Sequence, residues 1–428
     1  MPDRFSHDDR PMPTDLIPFD AARASVLARV APLPARDVPL GDTLGCVLAE
    51  DVTAPENLPP FANSAMDGFA VRAADLAGAT AEQPVRLAVA GEVFAGTADL
   101  PRVTPGTAVR IMTGGAVPPG ADAVVPVERT TTTDDPSAIL VEAAPSEGAC
   151  IRLAGEDVPI GTVVLRAGRL LEPASIGMLA SVGRATVRVH PRPRVAVVST
   201  GDELAEPGRP LLPGQIRDSN GPMLLAQARA AGAVAFRGAR LGDDPEALRA
   251  GFASAADAAD LVVTSGGVSV GDHDYTKRVL AELGDVTPWR VAMQPGMPQA
   301  FGFVKGTPLY GLPGNPVSCF VVFEVLVRPV LRRLAGHPDE RLDRSTVRAR
   351  LADQVRSPAG KLSLLRVTLA QEGDGLAARL TGAQGSGVLS SSVAADGLAV
   401  IPVEATGLDA GTEVDVILLR DRLGGWLP

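Results

Sequence analysis

The 428-residue chain has few aromatic residues, few cysteines and almost no lysine, and each shortage excludes something. Aromatics reach only 4% against 38 Pro and 45 Gly. That balance describes a chain cut into many short elements and excludes long bundles and coiled coils. A basic excess is also missing. The net charge is −10 and the pI near 5.1, whereas a phosphate-coating surface needs clustered cations, so nucleic acid is excluded as a partner. Lysine occurs only at Lys277, Lys305 and Lys361, which reads as a GC-rich coding bias without recognition chemistry. Cys46, Cys150 and Cys319 are odd in number, far apart and without a C-x-x-C, so neither a disulfide framework nor a zinc knuckle is indicated, and a reducing cytoplasm fits. A signal peptide is lacking. The longest apolar run, Val317 to Val327, contains Glu324 and falls short of the roughly 20 residues that span a bilayer, so no membrane is expected.

What is present is length and ordinary globular chemistry. With 46% hydrophobic and 21% charged residues, the chain has material for several cores. Residues 1–15 are Pro-rich and aperiodic, which reads as a disordered leader. Ala21, Ala22, Val26, Leu27 and Val30 follow helical spacing with Asp20 as a cap. From Leu40 to Pro191 the chain turns to short β-branched runs broken by Gly and Pro, with one short helix opening at Glu172-Pro173. The expected region is 16–190, two intertwined modules with a β-rich lid at about 50–150. From 191 to 335, buried strands alternate with helices, from Val195 to Ser199 through Leu261 to Thr264 to a long closing helix, Pro316 to Leu334. That rhythm means a mostly parallel sheet with helices on both faces. Residues 340–428 return to short strands, a small β domain. The expected fold is therefore multidomain α/β plus β: N-terminal helical and β modules, a central three-layer α/β/α domain, and a small barrel-like C-terminal domain.

Ligands of open parallel sheets collect outside the carboxyl ends of the strands. Three glycine loops follow expected strands there: Ser199 to Glu203; Ser265-Gly266-Gly267-Val268-Ser269-Val270-Gly271; and Gly311-Leu312-Pro313-Gly314-Asn315-Pro316 at a helix start. One glycine loop alone is usually a turn. Three on one edge suggest a phosphate or nucleotide cleft, because glycine lets backbone N–H groups approach phosphate oxygens. Asp202, Glu203, Asp243, Asp244, Asp272 and Asp274 gather at the same edge, and carboxylates beside a phosphate suit Mg²⁺. The plainer alternative is that Asp244 and Asp272 cap helices. His273 has no His or Cys at ligand spacing, the other histidines are equally isolated, and no G-x-S-x-G supports a hydrolase.

Several stretches together resemble a known family. In the N-terminal half these are Asn63-Ser64-Ala65-Met66-Asp67-Gly68-Phe69-Ala70, Ile111-Met112-Thr113-Gly114-Gly115, Pro118 to Val125, and Ile151-Arg152 with Gly155-Glu156-Asp157. In the C-terminal half they are Ser199 to Leu204, Gly214 to Asn220, Ser265 to Gly271, Asp274-Tyr275-Thr276-Lys277 and Leu312 to Ser318. In this order they resemble the molybdopterin molybdenumtransferases from about residue 16 onward. The resemblance implies an elongated homodimer of four-domain subunits, as in the E domain of gephyrin. It also implies the last step of molybdenum cofactor synthesis, in which adenylylated molybdopterin and molybdate give the cofactor and AMP. Protein partners implied are a molybdopterin adenylyltransferase and molybdoenzymes. Glu203, Asp243 and Asp274 match the family's functional acids and are expected to hold Mg²⁺ or orient the attacking oxygen. Asp67 and Thr113 match positions that the lid supplies to the partner's cleft. Ser265, Gly266, Gly267, Ser269, Gly271, Pro313, Gly314, Asn315, Pro316 and Arg290 are the expected phosphate-side residues, with Pro313 and Pro316 shaping the third loop.

The chain also departs from the family. Where the family usually reads Lys-x-x-x-Lys-Pro-Gly-Lys-Pro, this sequence has Arg290 to Pro298 with Gln294 and Met297 in place of two lysines around the molybdate oxyanion. Arg366 and Ser386 match the remaining anion contacts. Losing two cations should weaken the hold on a doubly charged anion unless other groups compensate. Two rival readings are weaker. A molybdopterin adenylyltransferase would resemble the central domain alone, and a non-catalytic gephyrin-like scaffold would need an added linker or a lost acidic site.

Overall fold

A computed structural model describes residues 16–266 and 275–420 of the chain. The expected leader, the residues 267–274 and the residues 421–428 lie outside it. Among the described residues no helix is long and apolar enough to cross a membrane.

The central unit is built on a six-stranded sheet in the order 234–241, 194–200, 261–265, 307–312, 298–304, 287–290. The first four strands are parallel, and 298–304 runs antiparallel to both of its neighbours, 307–312 and 287–290. Leu261–Ser265 is buried at every position and Arg194–Thr200 at all but its first, the pattern of strands covered on both faces. Val195, Val197 and Val263 face the helix Asn220–Ala230 through Leu224 and Ala228, together with the helix that starts at Pro316. Ala196, Val198 and Val262 face Leu248 and Phe252 of Pro245–Ala258 and Val279 of Tyr275–Leu283. This is the three-layer arrangement. Each Val, Leu or Phe side chain so covered contributes about 1.5–3 kcal/mol.

The strand Pro298–Val304 was not among the expected strands. It turns back through Lys305 and Gly306, both with positive φ (53° and 84°), onto Thr307–Leu312. Such two-residue turns match the twist of an antiparallel pair. The closing helix also holds a surprise. It runs from Pro316 to Leu334 without a break, but Phe323–Val327 is wound as a π segment. Gln227 Nε2 donates to Phe320 O (3.1 Å) and to Glu324 Oε1 (2.7 Å) beside the change of winding. Glu324 is buried and also accepts from Arg344 Nε at 2.6 Å.

The first helix is Phe19–Ala28, one residue earlier than its spacing suggests. Pro18 precedes it, so Asp20 lies in the first turn and caps nothing. Ala22, Val26 and Leu27 enter the core of the central unit, and Arg23 pairs with Asp343 at 2.7 Å. Val47–Leu48 pairs with Val189–His190, and Val52–Thr53 with Val163–Leu165, around Leu48, Leu171 and Leu179. Between these paired segments lies another six-stranded sheet, 123–126, 68–71, 107–111, 85–93, 138–141, 130–132, with its own cores around Phe69 and Leu87 and around Val93 and Ile111.

At the C-terminal end five strands close on themselves in the order 362–372, 375–380, 346–351, 413–418, 397–401, the last pairing back on the first. Val367, Leu369, Ala399 and Val416 fill this barrel. Met293–Gln294 of the central unit joins it as an extra strand, parallel to Leu362–Ser363.

Candidate functional site

The carboxyl ends of the parallel strands are Thr200, Leu241, Ser265 and Leu312, and the structure ties their loops together. Gly201 N donates to Leu241 O at 3.1 Å and Gly266 N to Leu312 O at 3.2 Å. Gly266 takes φ +94°, and a Cβ there would lie 2.7 Å from Thr200 O, so the close approach of these loops requires glycine. Asn220 makes the main bridge. Its Nδ2 donates to Ser265 Oγ and to Gly314 O, both at 2.7 Å, joining the second loop to the third. Asn220-Gly221-Pro222 reads from sequence as a helix cap. Asn220 is instead the first residue of its helix, and its role rests on partners 45 and 94 residues away that no local signal marks.

Glu203 and Asp243 stand exposed at adjacent strand ends. Asp243 N donates to the Asp202 carboxylate at 3.2 Å, which holds the two acidic loops side by side. Asp244 follows the plainer alternative: its carboxylate accepts from Ala247 N at 2.7 Å as a helix cap. Asp274, Gly267, Ser269 and Gly271 lie outside the described residues, as do Asp272 and His273. No cluster of three His, Cys, Asp or Glu poised for a metal occurs among the described residues. Glu203 and Asp243 are open carboxylates, a donor set that fits Mg²⁺ completing its shell with water and phosphate oxygens.

A second group converges on the first turn of the helix at Pro316. Pro313 is buried while Gly314 and Asn315 are exposed. Ser386 O accepts from Val317 N at 3.1 Å, bringing the C-terminal barrel onto this turn. Arg366 is fully buried and donates to Ser391 Oγ (3.0 Å) and to Gly385 O (3.2 Å), next to Ser386. Its partners are neutral oxygens and it forms no ion pair among the described residues, and burial pulls its pKa down from the ordinary value. Gly296 sits against Val322 of the same helix, which places the loop bearing Gln294 and Met297 beside it. Gln294 is exposed, and Met297 Sδ lies 3.7 Å from Arg290 Nη2. Gln299 braces this loop from below, donating to Gly296 O and accepting from Tyr310 Oη, each at 2.7 Å.

Cys319 belongs to the scaffold. Burial pushes its thiol up to about 12 despite a hydrogen bond with Ser265, so it carries no thiolate for chemistry at neutral pH. His337 is likewise structural. Burial, then Arg332, Arg328 and Arg341, lower its pKa to about 4.

Asp67 and Thr113 lie together beside the paired strands 68–71 and 107–111 of the N-terminal six-stranded sheet. Thr113 donates to Asp67 Oδ1 from both N and Oγ1 at 2.7 Å, and these two bonds hold the Asp67 carboxyl below its ordinary value. Among the described residues, neither the cores of this sheet nor its strand pairings include a residue of the central sheet.

Glycine loops gathered at the carboxyl ends of a mostly parallel sheet, flanked by open carboxylates, are the arrangement of the ligand-binding α/β class. Comparison with known proteins narrows this. The MoeA N-terminal region (domain I and II) matches residues 17–183, a probable molybdopterin binding domain matches 196–333, and the MoeA C-terminal region (domain IV) matches 348–419. A molybdopterin molybdenumtransferase 2 of Mycobacterium tuberculosis is 47% identical over 89% of this chain and 94% of its own length. A molybdopterin molybdenumtransferase of Haemophilus influenzae is 37% identical over 96% of this chain and 100% of its own. A crystal structure of a molybdopterin biosynthesis MoeA protein from Pyrococcus horikoshii superposes with a TM-score of 0.74 at 30% identity, covering 94% of this chain and 100% of that one. The chain belongs to the molybdopterin molybdenumtransferase family.

Proposed function

We propose that this protein inserts molybdate into adenylylated molybdopterin with release of AMP, the final step of molybdenum cofactor synthesis. Besides family membership, the observation that carries the reading is the Asn220 bridge, which sets a phosphate-binding loop beside the Pro313 to Pro316 turn where the anion-side residues converge. The pyrophosphate of the substrate would lie along the loops at Ser265 and Gly266 and at Gly314 and Asn315. Glu203, Asp243 and Asp274 would hold Mg²⁺, which when bound neutralises charge on the leaving phosphate. The carboxylates would also orient the oxygen that displaces AMP. The P–O bond of the anhydride breaks, the attacking oxygen takes its place on phosphorus, and AMP leaves as a phosphate monoester.

Molybdate would lie near Ser386, Gln294 and Met297. The buried Arg366 supports this, because a cation held only by neutral oxygens leaves a positive field at the loop it anchors. Arg366 would act through that loop, since its guanidinium is already taken up by Ser391 and main-chain carbonyls.

The working unit would be a homodimer in which Asp67 and Thr113 of one subunit complete the cleft of the other. The separate lid cores support this. The three free cysteines suit a cytoplasmic setting. An adenylyltransferase that supplies the substrate and molybdoenzymes that accept the product are the proposed protein contacts.

The test is AMP release from adenylylated molybdopterin with and without molybdate, on wild type, Glu203→Gln and Asp274→Asn. Release should depend on molybdate and be lost in both variants. Molybdate-independent release, or full activity in the variants, would overturn the reading. Mixing inactive Asp67→Asn and Glu203→Gln subunits should restore about a quarter of wild-type activity, since half of randomly formed dimers would carry one intact cleft. No recovery would refute the trans arrangement.

A further inference from the structure

The chain between Glu203 and Asp218 leaves the central sheet and returns to it as a flap. Its two limbs pair as short parallel strands, Leu204–Ala205 with Ile216–Arg217. Ile216 N donates to Glu203 O and Asp218 N to Ala205 O, both at 2.9 Å. Glu203 is thus the foot of the flap, its main chain fixed by the pairing of the limbs.

The limbs are held by one side chain from the neighbouring edge strand. Arg237 Nη1 donates to Glu206 Oε2 on the outgoing limb at 2.7 Å, and Arg237 Nη2 to Asp218 Oδ2 on the returning limb at 2.6 Å. The Asp218 side chain is 1% exposed, and its other oxygen accepts from Gly221 N at 2.8 Å. Arg240, on the same strand, donates to Leu204 O. Residues three apart on a regular strand face opposite sides. Here the pairing passes from Val197–Arg237 to Ser199–Arg240, with one extra residue on the edge strand. A bulge of that kind turns both arginines toward the flap. A planar guanidinium with two parallel donors can bridge two carboxylates at fixed separation, which a lysine cannot.

We infer that Arg237 is a positioning residue of the reaction: it clamps both limbs of the 203–218 flap and thereby sets the Glu203 carboxylate against Asp243. The inference rests on the role proposed for Glu203 above. Glu206→Gln is the cleanest probe, because it takes the charge from one arm of the clamp at a partly exposed pair and leaves the buried Asp218–Arg237 contact in place.

Hydrogen exchange at the Ile216 and Asp218 amides should accelerate about five-fold in Glu206→Gln, and kcat for AMP release should fall about five-fold with KM for adenylylated molybdopterin within two-fold. Arg237→Lys should behave alike. Adding Glu206→Gln to it should change neither quantity further, since both weaken the same arm. Unchanged exchange in both variants would overturn the clamp. Faster exchange with unaltered kcat would overturn the positioning role while Glu203→Gln remained inactive. Full activity in Glu203→Gln would instead bring down the proposed role of Glu203 and the positioning role with it, the exchange data still deciding the clamp.

Discussion

Asn220→Ala should show how much the site depends on its bridge. The Asn220 amide nitrogen makes two hydrogen bonds of 2.7 Å, while its Oδ1 is buried without a partner, so the benefit of the side chain rests on the donor end. Two such bonds contribute about 1 kcal/mol each, and the small void left by truncation adds about another 1 kcal/mol. For a unit of this size a loss of about 2–4 kcal/mol lowers the melting temperature by about 5–12 °C. Asn220→Asp separates bonding from shape. It keeps the volume but sets a carboxylate oxygen against Gly314 O, which cannot donate. Burial raises the pKa of that carboxyl above its unfolded value near about 3.9, and the protonated form can still donate to Gly314 O. A folded pKa that is raised gives stability present below the unfolded pKa and lost as pH rises through the folded one. The deficit of Asn220→Asp relative to wild type should therefore be larger at pH 8 than at pH 5. Thermal melts at the two pH values, with AMP release alongside, are the assay. An Asn220→Ala protein melting within about 1 °C of wild type with unaltered kinetics, or an Asn220→Asp deficit independent of pH, would refute the bridge.

Two further outcomes follow from the same geometry. Gln294→Lys with Met297→Lys should lower the half-saturating molybdate concentration about tenfold, because a cation about 6 Å from a doubly charged anion contributes about 1 kcal/mol even in a water-like dielectric, less the repulsion between the cation introduced at position 297 and Arg290. An unchanged or higher requirement would count against a charge-poor anion site. Thr113→Val should return the Asp67 carboxyl toward its ordinary range, since it removes the side-chain donor and leaves the main-chain one. The depressed pKa stabilises the fold above the unfolded pKa and is lost as pH falls through the folded one, so the variant should lose that support at a higher pH. A carboxyl titration of Asp67 by NMR that does not move would refute it.

Much of the central unit could be read from the sequence, because its signals are local. Continuous apolar runs such as Val195 to Ser199 and Leu261 to Thr264 mark strands covered on both faces, and a glycine loop after each shows where the strand ends. The closing helix from Pro316 was legible from its proline start and unbroken apolar face. The antiparallel strand Pro298–Val304 was missed although Lys305-Gly306 between two apolar runs is a hairpin signal of its own. The π segment could not be read, since Phe323 to Val327 contains no Pro or Gly to mark a change of winding. Arg237 went unnoticed for a similar reason. Its importance comes from a bulge in strand pairing and from carboxylates on a distant loop, and neither leaves a mark in the residues around it.

The short strand Met293–Gln294 bears on how this family member could change its substrate. Its backbone is fastened to the C-terminal barrel through Leu362 and Ser363, while the Gln294 side chain points out to solvent. Whatever residue occupies position 294, the main chain is gripped in the same way, and no neighbour must repack. With the anion site placed as proposed, charge beside the oxyanion can then be added or withdrawn at this position with the scaffold indifferent to the exchange, so that affinity for the metal oxyanion is free to drift, or to be selected, independently of folding.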